Sequence, residues 1–220
     1  VVNKTYGSGV VNIGPLQVSG RYKIFLKQQG YWAKSTGGVE AVLSYPASTS
    51  MNGTDVFVDR MGQGVAGAFT ASAGEYRTVR VESSYEITAS RIRVLAPDNS
   101  LVDTVAVQYA TERVGRGLLN IGPLPVAGNY RVLVEQTGSG RQNTGAFKVE
   151  LSAPATGGLP DGQAVNISLP WQGQSIKYTF AAQQGDYRSL LVSETDGPIA
   201  TASISVLDPN GVPFASGHFS

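Results

Sequence analysis

Cysteine is missing from this sequence altogether, and histidine occurs once, as His218. The first absence excludes disulfides and thiolate metal sites. The second leaves a histidine-dependent triad or a multi-histidine metal centre short of its parts, so no catalytic residue is expected. His218 sits in Gly217-His218-Phe219 and reads as a strand or surface residue. Charge is also scarce: 15% of the 220 residues are charged, 17 basic against 16 acidic. Neither sign forms a run, so nucleic acid and anionic membrane surfaces are poor partners. No stretch of 18 apolar residues is present, and no membrane insertion is expected. The opening VVNKTYGSG lacks a basic segment leading into an apolar one, so it does not read as a signal peptide. If the protein is exported, this chain is a mature or excised part of it.

What is abundant is turn chemistry. The 27 glycines and 11 prolines lie between short runs rich in Val, Ile, Leu, Tyr and Thr, which reads as many short strands with no continuous helical pattern. Pro97-Asp98-Asn99 and Asp208-Pro209-Asn210-Gly211 are turns with a mechanism. Proline presets φ, and Asn or Gly accepts φ > 0. Strands are predicted over 55–60, 67–71, 76–82, 89–95, 103–109, 117–121, 128–136 and 146–151. About eight strands at this spacing fit a two-sheet sandwich of jelly-roll type.

The strongest signal is internal similarity. Residues 9–26, GVVNIGPLQVSGRYKIFL, match residues 117–134, GLLNIGPLPVAGNYRVLV, at an offset of 108. The match continues from Thr36-Gly37 and Thr144-Gly145 to Leu43-Ser44 and Leu151-Ser152. A second block pairs Phe69-Thr70-Ala71 and Gly74-Glu75-Tyr76-Arg77 with Phe180-Ala181-Ala182 and Gly185-Asp186-Tyr187-Arg188. Val94-Leu95-Ala96-Pro97 then pairs with Val206-Leu207-Asp208-Pro209. The chain is therefore expected to be all-β, with two tandem jelly-roll-like β-sandwich repeats of about 110 residues, one of them split. Residues 46–154 form the complete repeat. Residues 155–220 form the first half of a second, and residues 1–45 the second half of a repeat. In the complete repeat 23 positions separate Pro97 from Asn120; joining Ser220 to Val1 again places 23 between Pro209 and Asn12. The expected core of the complete repeat is Tyr76, Val94, Leu95, Ile121, Tyr130, Val132 and Phe147. Its counterparts are Tyr187, Val206, Leu207, Ile13, Tyr22, Ile24 and Val39.

The order Tyr178-Thr179-Phe180, Gly185-Asp186-Tyr187-Arg188, Val206–Gly211 and then Ile121–Val132 resembles the bacterial pre-peptidase C-terminal domain family. The resemblance covers essentially the whole chain, once per repeat. It implies a small non-catalytic sandwich appended to secreted proteases or strung in arrays on exported proteins, some members of which bind polysaccharide or collagen.

Three groups of residues are candidates for function. Tyr31 and Trp32 sit in a loop whose counterpart is Ser139-Gly140, so they are not common core. Exposed aromatics of this kind suit either a sugar face or a contact with a neighbouring domain or subunit. Trp171 is similar, standing where the other repeat has Arg60. Val1, Val2, His218, Phe219 and Ser220 would form the joint if the two halves meet. Asp186, Asp196, Asp208 and Asn210 have the right hardness for calcium. Their counterparts do not reproduce the set, however, so turn chemistry explains them and no cofactor is required. The paired carboxylates Glu40 with Asp55 and Glu194 with Asp196 read as solvated faces. The resulting expectation is a non-catalytic, secreted or cell-surface module, structural or adhesive, whose partners are copies of itself arranged head to tail in a filament or long array. The alternative is an accessory module that binds carbohydrate or matrix protein for a secreted enzyme. Residues 1–45 can complement 155–220 of the same chain or of a neighbour; sequence does not separate the two, and closure on a neighbour, head to tail, is the favoured expectation.

Overall fold

The structure is a computed structural model and describes residues 9–25, 40–84, 86–87, 89–109, 114–137, 144–193 and 202–219. Among these residues there are strands and no helix, as the Gly- and Pro-punctuated composition predicts. The strands are β1 (Ala47–Ser48), β2 (Asn52–Val58), β3 (Val65–Ala71), β4 (Arg77–Ser83), β5 (Ser90–Leu95), β6 (Leu101–Tyr109), β7 (Gly115–Ile121), β8 (Gly128–Gln136), β9 (Gly145–Ser152), β10 (Ala155–Gly158), β11 (Ile176–Thr179), β12 (Ala202–Leu207) and β13 (Pro213–Phe219).

The complete repeat holds β1 to β9 in a single hydrogen-bonded order, β1-β3-β8-β5-β6-β7-β4-β9-β2. The order bends at β6 and β7, which pair only through Gln108 with Arg116 and Tyr109 with Gly115. Strands β1, β3, β8, β5 and β6 thus make one layer, and β7, β4, β9 and β2 the other. Side-chain alternation explains why the layers face each other. In β7, Gly115, Gly117, Leu119 and Ile121 are buried while Arg116, Leu118 and Asn120 point outward, the period of two that a half-buried strand requires. Between the layers lie Val79, Val81, Ile92, Val94, Tyr130, Val132, Phe147 and Val149, all essentially without solvent contact. The Phe69 and Tyr130 rings stack with centroids 5.4 Å apart, an arrangement that adds to simple area burial.

Two expectations need correction. Tyr76 is half-buried rather than core, because it lies just before β4 and is covered by Lys177, whose Nζ stands 5.2 Å from the ring centroid. Strand β2 begins at Asn52 and stops at Val58, not at residues 55 and 60. Asn52 Oδ1 accepts from the Thr54 N–H at 3.1 Å, and a turn with Gly62 at φ 77° closes with Gln63 N donating to Arg60 O at 3.0 Å. That turn ends the strand.

The outer faces carry ion pairs. Arg80 lies 2.5 Å from both Glu82 and Glu150, and Glu135 receives Arg91 and Arg93 at 2.8 Å each. Two compact units emerge: the described residues through Ala155 together with Leu169–Lys177, and Thr156–Ser168 with the described residues from Tyr178 onward. The second repeat is far less organised than the first. Its described residues form two ribbons, β10 with β11 and β12 with β13. Its expected core residues Tyr187, Leu207, Ile13, Tyr22 and Ile24 are exposed in the single chain, Tyr187 at 95%. Val206 is half-buried, and Val39 lies outside the described residues.

Candidate functional site

The repeat visible in the sequence is also a repeat of local geometry, down to single hydrogen bonds. Ala96 N donates to Ser100 O at 2.8 Å and Asn99 N to Ala96 O at 2.9 Å; Asp208 N to Val212 O and Gly211 N to Asp208 O, both 2.9 Å, build the same turn. Its left-handed residue is Asn99 in one copy and Gly211 in the other, at φ 71° and 83°, a conformation these two types tolerate best. Arg77 donates to Tyr76 O and to Glu75 Oε2 at 2.8 and 2.5 Å. Arg188 does the same to Tyr187 O and Asp186 Oδ2 at 3.1 and 3.0 Å. The Gln63 turn of the first repeat returns as Gln174 N donating to Trp171 O at 3.1 Å.

A fourth shared feature lies in the segment before residue 46. Tyr130 Oη donates to Val126 O at 2.6 Å, tying the corner before β8 to the strand itself. Tyr22 Oη donates to Val18 O at 2.5 Å. The sequence signal is Val-x-Gly-x-Tyr in both copies, with the hydroxyl reaching back four residues. The corner is the same, yet Tyr130 is fully buried and Tyr22 is half exposed. Residues 9–25 form no strand. Asn12 Nδ2 donates to Gln136 O at 2.9 Å.

Among the described residues, strand β12 pairs with β13 alone, from Ala202 opposite Phe219 to Leu207 opposite Pro213. Its counterpart β5 has two neighbours, β6 and β8. An unpaired row of backbone N–H and C=O groups is a template for another strand. His218 is exposed on β13, opposite Ser203; Phe219 ends that strand. Val1, Val2, Tyr31, Trp32 and Ser220 lie outside the described residues, as does Asp196. Trp171 is 47% exposed on a turn held by Gln174 Nε2 donating to Ala153 O at 2.8 Å. Neighbouring Ser175 bonds Asn120 Oδ1 at 3.1 Å.

Little on this surface is arranged for reaction chemistry. A recess of about 320 Å³ is lined by Ser100, Leu101, Asp103, Asn120, Pro123 and Pro125 among others. Its polar groups serve the fold: Ser100 Oγ donates to Asp98 at 2.6 Å, and Asn120 Oδ1 accepts from Thr78 at 2.6 Å. Asp98 is held below the usual carboxylate range, first by that hydroxyl and then by the Ser100 N–H. Asp208 Oδ1 accepts from the N–H groups of Asn210 and Val212 at 2.9 and 2.8 Å, and Asp186 Oδ2 from Gln183 N at 3.0 Å. These carboxylates act as turn acceptors. Among the described residues no three His, Cys, Asp or Glu side chains cluster as metal ligands.

No family model and no curated protein matches the chain. Solved structures similar in fold include the pre-peptidase C-terminal domain of a collagenase from Bacillus anthracis, at 12% identity and TM-score 0.33, covering 51% of this chain and 99% of that one. A periplasmic inhibitor of g-type lysozyme from Aeromonas hydrophila matches at 15% identity and TM-score 0.31, covering 50% and 100%. A family 35 carbohydrate binding module from an environmental isolate matches at 20% identity and TM-score 0.29, covering 45% and 77%. The likeness extends to an all-β fold of sandwich type.

Proposed function

We propose that this chain is a non-catalytic, structural or adhesive module of a secreted or cell-surface protein, acting by self-association of its repeats in a head-to-tail filament or long array. The observation that carries this reading is the repetition of one design along the chain, down to single hydrogen bonds. Residues 46–154 close a nine-stranded sandwich, the kind of unit that repeats stack into arrays. Electron microscopy and light scattering of the purified chain test it. Filaments or concentration-dependent oligomers are the expected result, and a monodisperse monomer across the micromolar range refutes it.

A second reading rests on Trp171, a half-exposed indole on a braced turn, the type of platform on which a sugar ring stacks. Under it the chain is an accessory module binding polysaccharide or matrix protein. Depletion onto insoluble polysaccharides and collagen, lost on Trp171→Ala, is the outcome that would favour it over self-association.

A further inference from the structure

We infer that successive repeats of this design dock through one recurring junction, in which a glycine turn of each repeat is seated on a side chain from the β7 stretch of the repeat before it. This deepens the array form of the function proposed above and rests on it.

The junction occurs twice among the described residues, built each time from matching positions. In β7 the core side is taken by Gly117, Leu119 and Ile121, so Leu118 and Asn120 face outward. Val10 and Asn12 stand at the same two places of the matching stretch, GVVNIG against GLLNIG. The turn of residues 60–63 carries Gly62 at φ 77°, and the turn of residues 171–174 carries Gly173 at φ 76°. A Cβ on Gly62 would fall 3.1 Å from Val10 Cγ1, and one on Gly173 would overlap the Leu118 side chain. Each turn thus lays bare backbone against a branched side chain of the preceding repeat, a close approach that glycine permits.

Glutamine supplies the second contact. Gln63 Nε2 donates to Tyr45 O at 3.1 Å, and Gln174 Nε2 to Ala153 O at 2.8 Å. Tyr45 and Ala153 stand at the same offset of 108 that relates Val10 to Leu118. Each lies just ahead of the strand that opens the following repeat, β1 from Ala47 and β10 from Ala155. The asparagines reach across as well: Asn12 Nδ2 donates to Gln136 O at 2.9 Å, and Asn120 Oδ1 accepts from Ser175 Oγ at 3.1 Å. All of these residues lie in one compact unit. The turns themselves are closed by local bonds, Gln63 N to Arg60 O and Gln174 N to Trp171 O. Closure of a turn does not call for an apolar side chain beneath its glycine or a carbonyl at the end of its glutamine. Their return at matching positions marks a docking contact, the nearest-neighbour coupling on which tandem repeats depend.

Residue-resolved hydrogen exchange of the full chain in dilute solution tests it. Leu118→Ala should lower the protection of the Gln174 and Ala155 N–H groups, which donate to Trp171 O and Ser175 O. The expected factor is about tenfold, for loss of a partly covered isopropyl group. The Gln63 and Ala47 N–H groups, bonded to Arg60 O and Gly64 O, should be unaffected. Val10→Ala should do the reverse by about threefold, less because Gly62 N is also held by Gln136 Oε1 at 3.2 Å. Phe57→Ala removes a side chain 73% exposed on the same layer and should change neither turn. Protection of the β8 amides checks the fold and should stay at its parent value in all three variants. Unchanged protection of both turns, or a uniform fall that includes β8, overturns the junction. Filaments with turns indifferent to Leu118→Ala and Val10→Ala leave self-association standing and refute this inference. A monodisperse chain that shows the selective losses supports the junction while refuting the filament.

Discussion

Replacing Tyr130 with Phe removes one oxygen from the centre of the complete sandwich and leaves the ring stacked on Phe69. The lost group donates to Val126 O at 2.6 Å and lies 3.3 Å from Val126 N. A net hydrogen bond contributes about 1 kcal/mol, and a buried group left unpaired costs about 1–3 kcal/mol. Val126 has an exposed side chain, so water can reach its backbone in part, and the expected loss is about 1–2 kcal/mol. At about 2 kcal/mol per molar urea for a domain of this size, the midpoint should fall by about 0.5–1 M with unchanged slope. The matched variant Tyr22→Phe removes the same hydroxyl from the same corner where the ring is half exposed, and should change the single chain by less than about 0.5 kcal/mol. Urea unfolding followed by near-ultraviolet circular dichroism, with hydrogen exchange of β8 as a second probe, reads both. A neutral Tyr130→Phe, or a Tyr22→Phe as costly as its counterpart in dilute protein, would refute the reasoning.

Gly122 and Gly14 make a second matched pair, at φ 133° and 137°. A Cβ at 122 would fall 2.6 Å from Tyr76 Cδ1 and 2.8 Å from Glu75 O, whereas at 14 its nearest neighbour would be 3.8 Å away; Gly122→Ala should therefore cost about 2 kcal/mol or more in urea unfolding, and Gly14→Ala distinctly less. Ser90 Oγ is buried with no partner among the described residues, so Ser90→Ala should be neutral or stabilising by up to about 1 kcal/mol; a loss above about 1 kcal/mol would mean the hydroxyl is bonded. The lowered pKa of Asp98 means the folded state binds its proton less readily than the unfolded one. Its stabilising contribution is present above the ordinary carboxylate range and is lost as pH falls through the folded value. Asp98→Asn should thus flatten the acid limb of the melting-temperature profile below about pH 4 and leave it unchanged near neutrality.

How much was legible in the sequence depended on whether the determinant was local. The Val-, Leu- and Tyr-rich run over 128–136 reads as a strand from its own residues, and β8 has those bounds. The Pro97-Asp98-Asn99 turn was equally readable, since proline, an acceptor side chain and a φ > 0 residue all lie within four positions. Tyr76 was misread because its cover, Lys177, comes from about one hundred residues away. The sharpest case is Leu190-Leu191-Val192. Its composition is as strand-like as that of Val79-Arg80-Val81, yet only the latter is a strand. A strand needs hydrogen-bonding partners along its edges, and those of β4 are β7 and β9. Propensity expresses fit to a pleated, half-buried surface; without the surface there is no strand. Trp171 shows the limit for the candidate site. The sequence identified a large side chain out of pattern with Arg60, but its exposure depends on a brace from Gln174 to Ala153 that no local rule describes.

The distribution of exposed apolar side chains turns this difference into a thermodynamic one. Among the described residues, Phe57, Met61, Leu101, Leu118 and Val126 are the large apolar side chains that the complete repeat exposes, while Val11, Ile13, Tyr22, Ile24 and Leu43 are exposed within the short segment before it. Burying those five would contribute about 7–15 kcal/mol at about 1.5–3 each, against about 4–15 kcal/mol for the freedom lost when two molecules associate. The two terms are of similar size, so these residues alone do not force association. A near-balanced association is governed by mass action. Under the proposed self-association, the stability of the segments that carry these side chains therefore rises with protein concentration, while that of residues 46–154, whose core is already closed, does not.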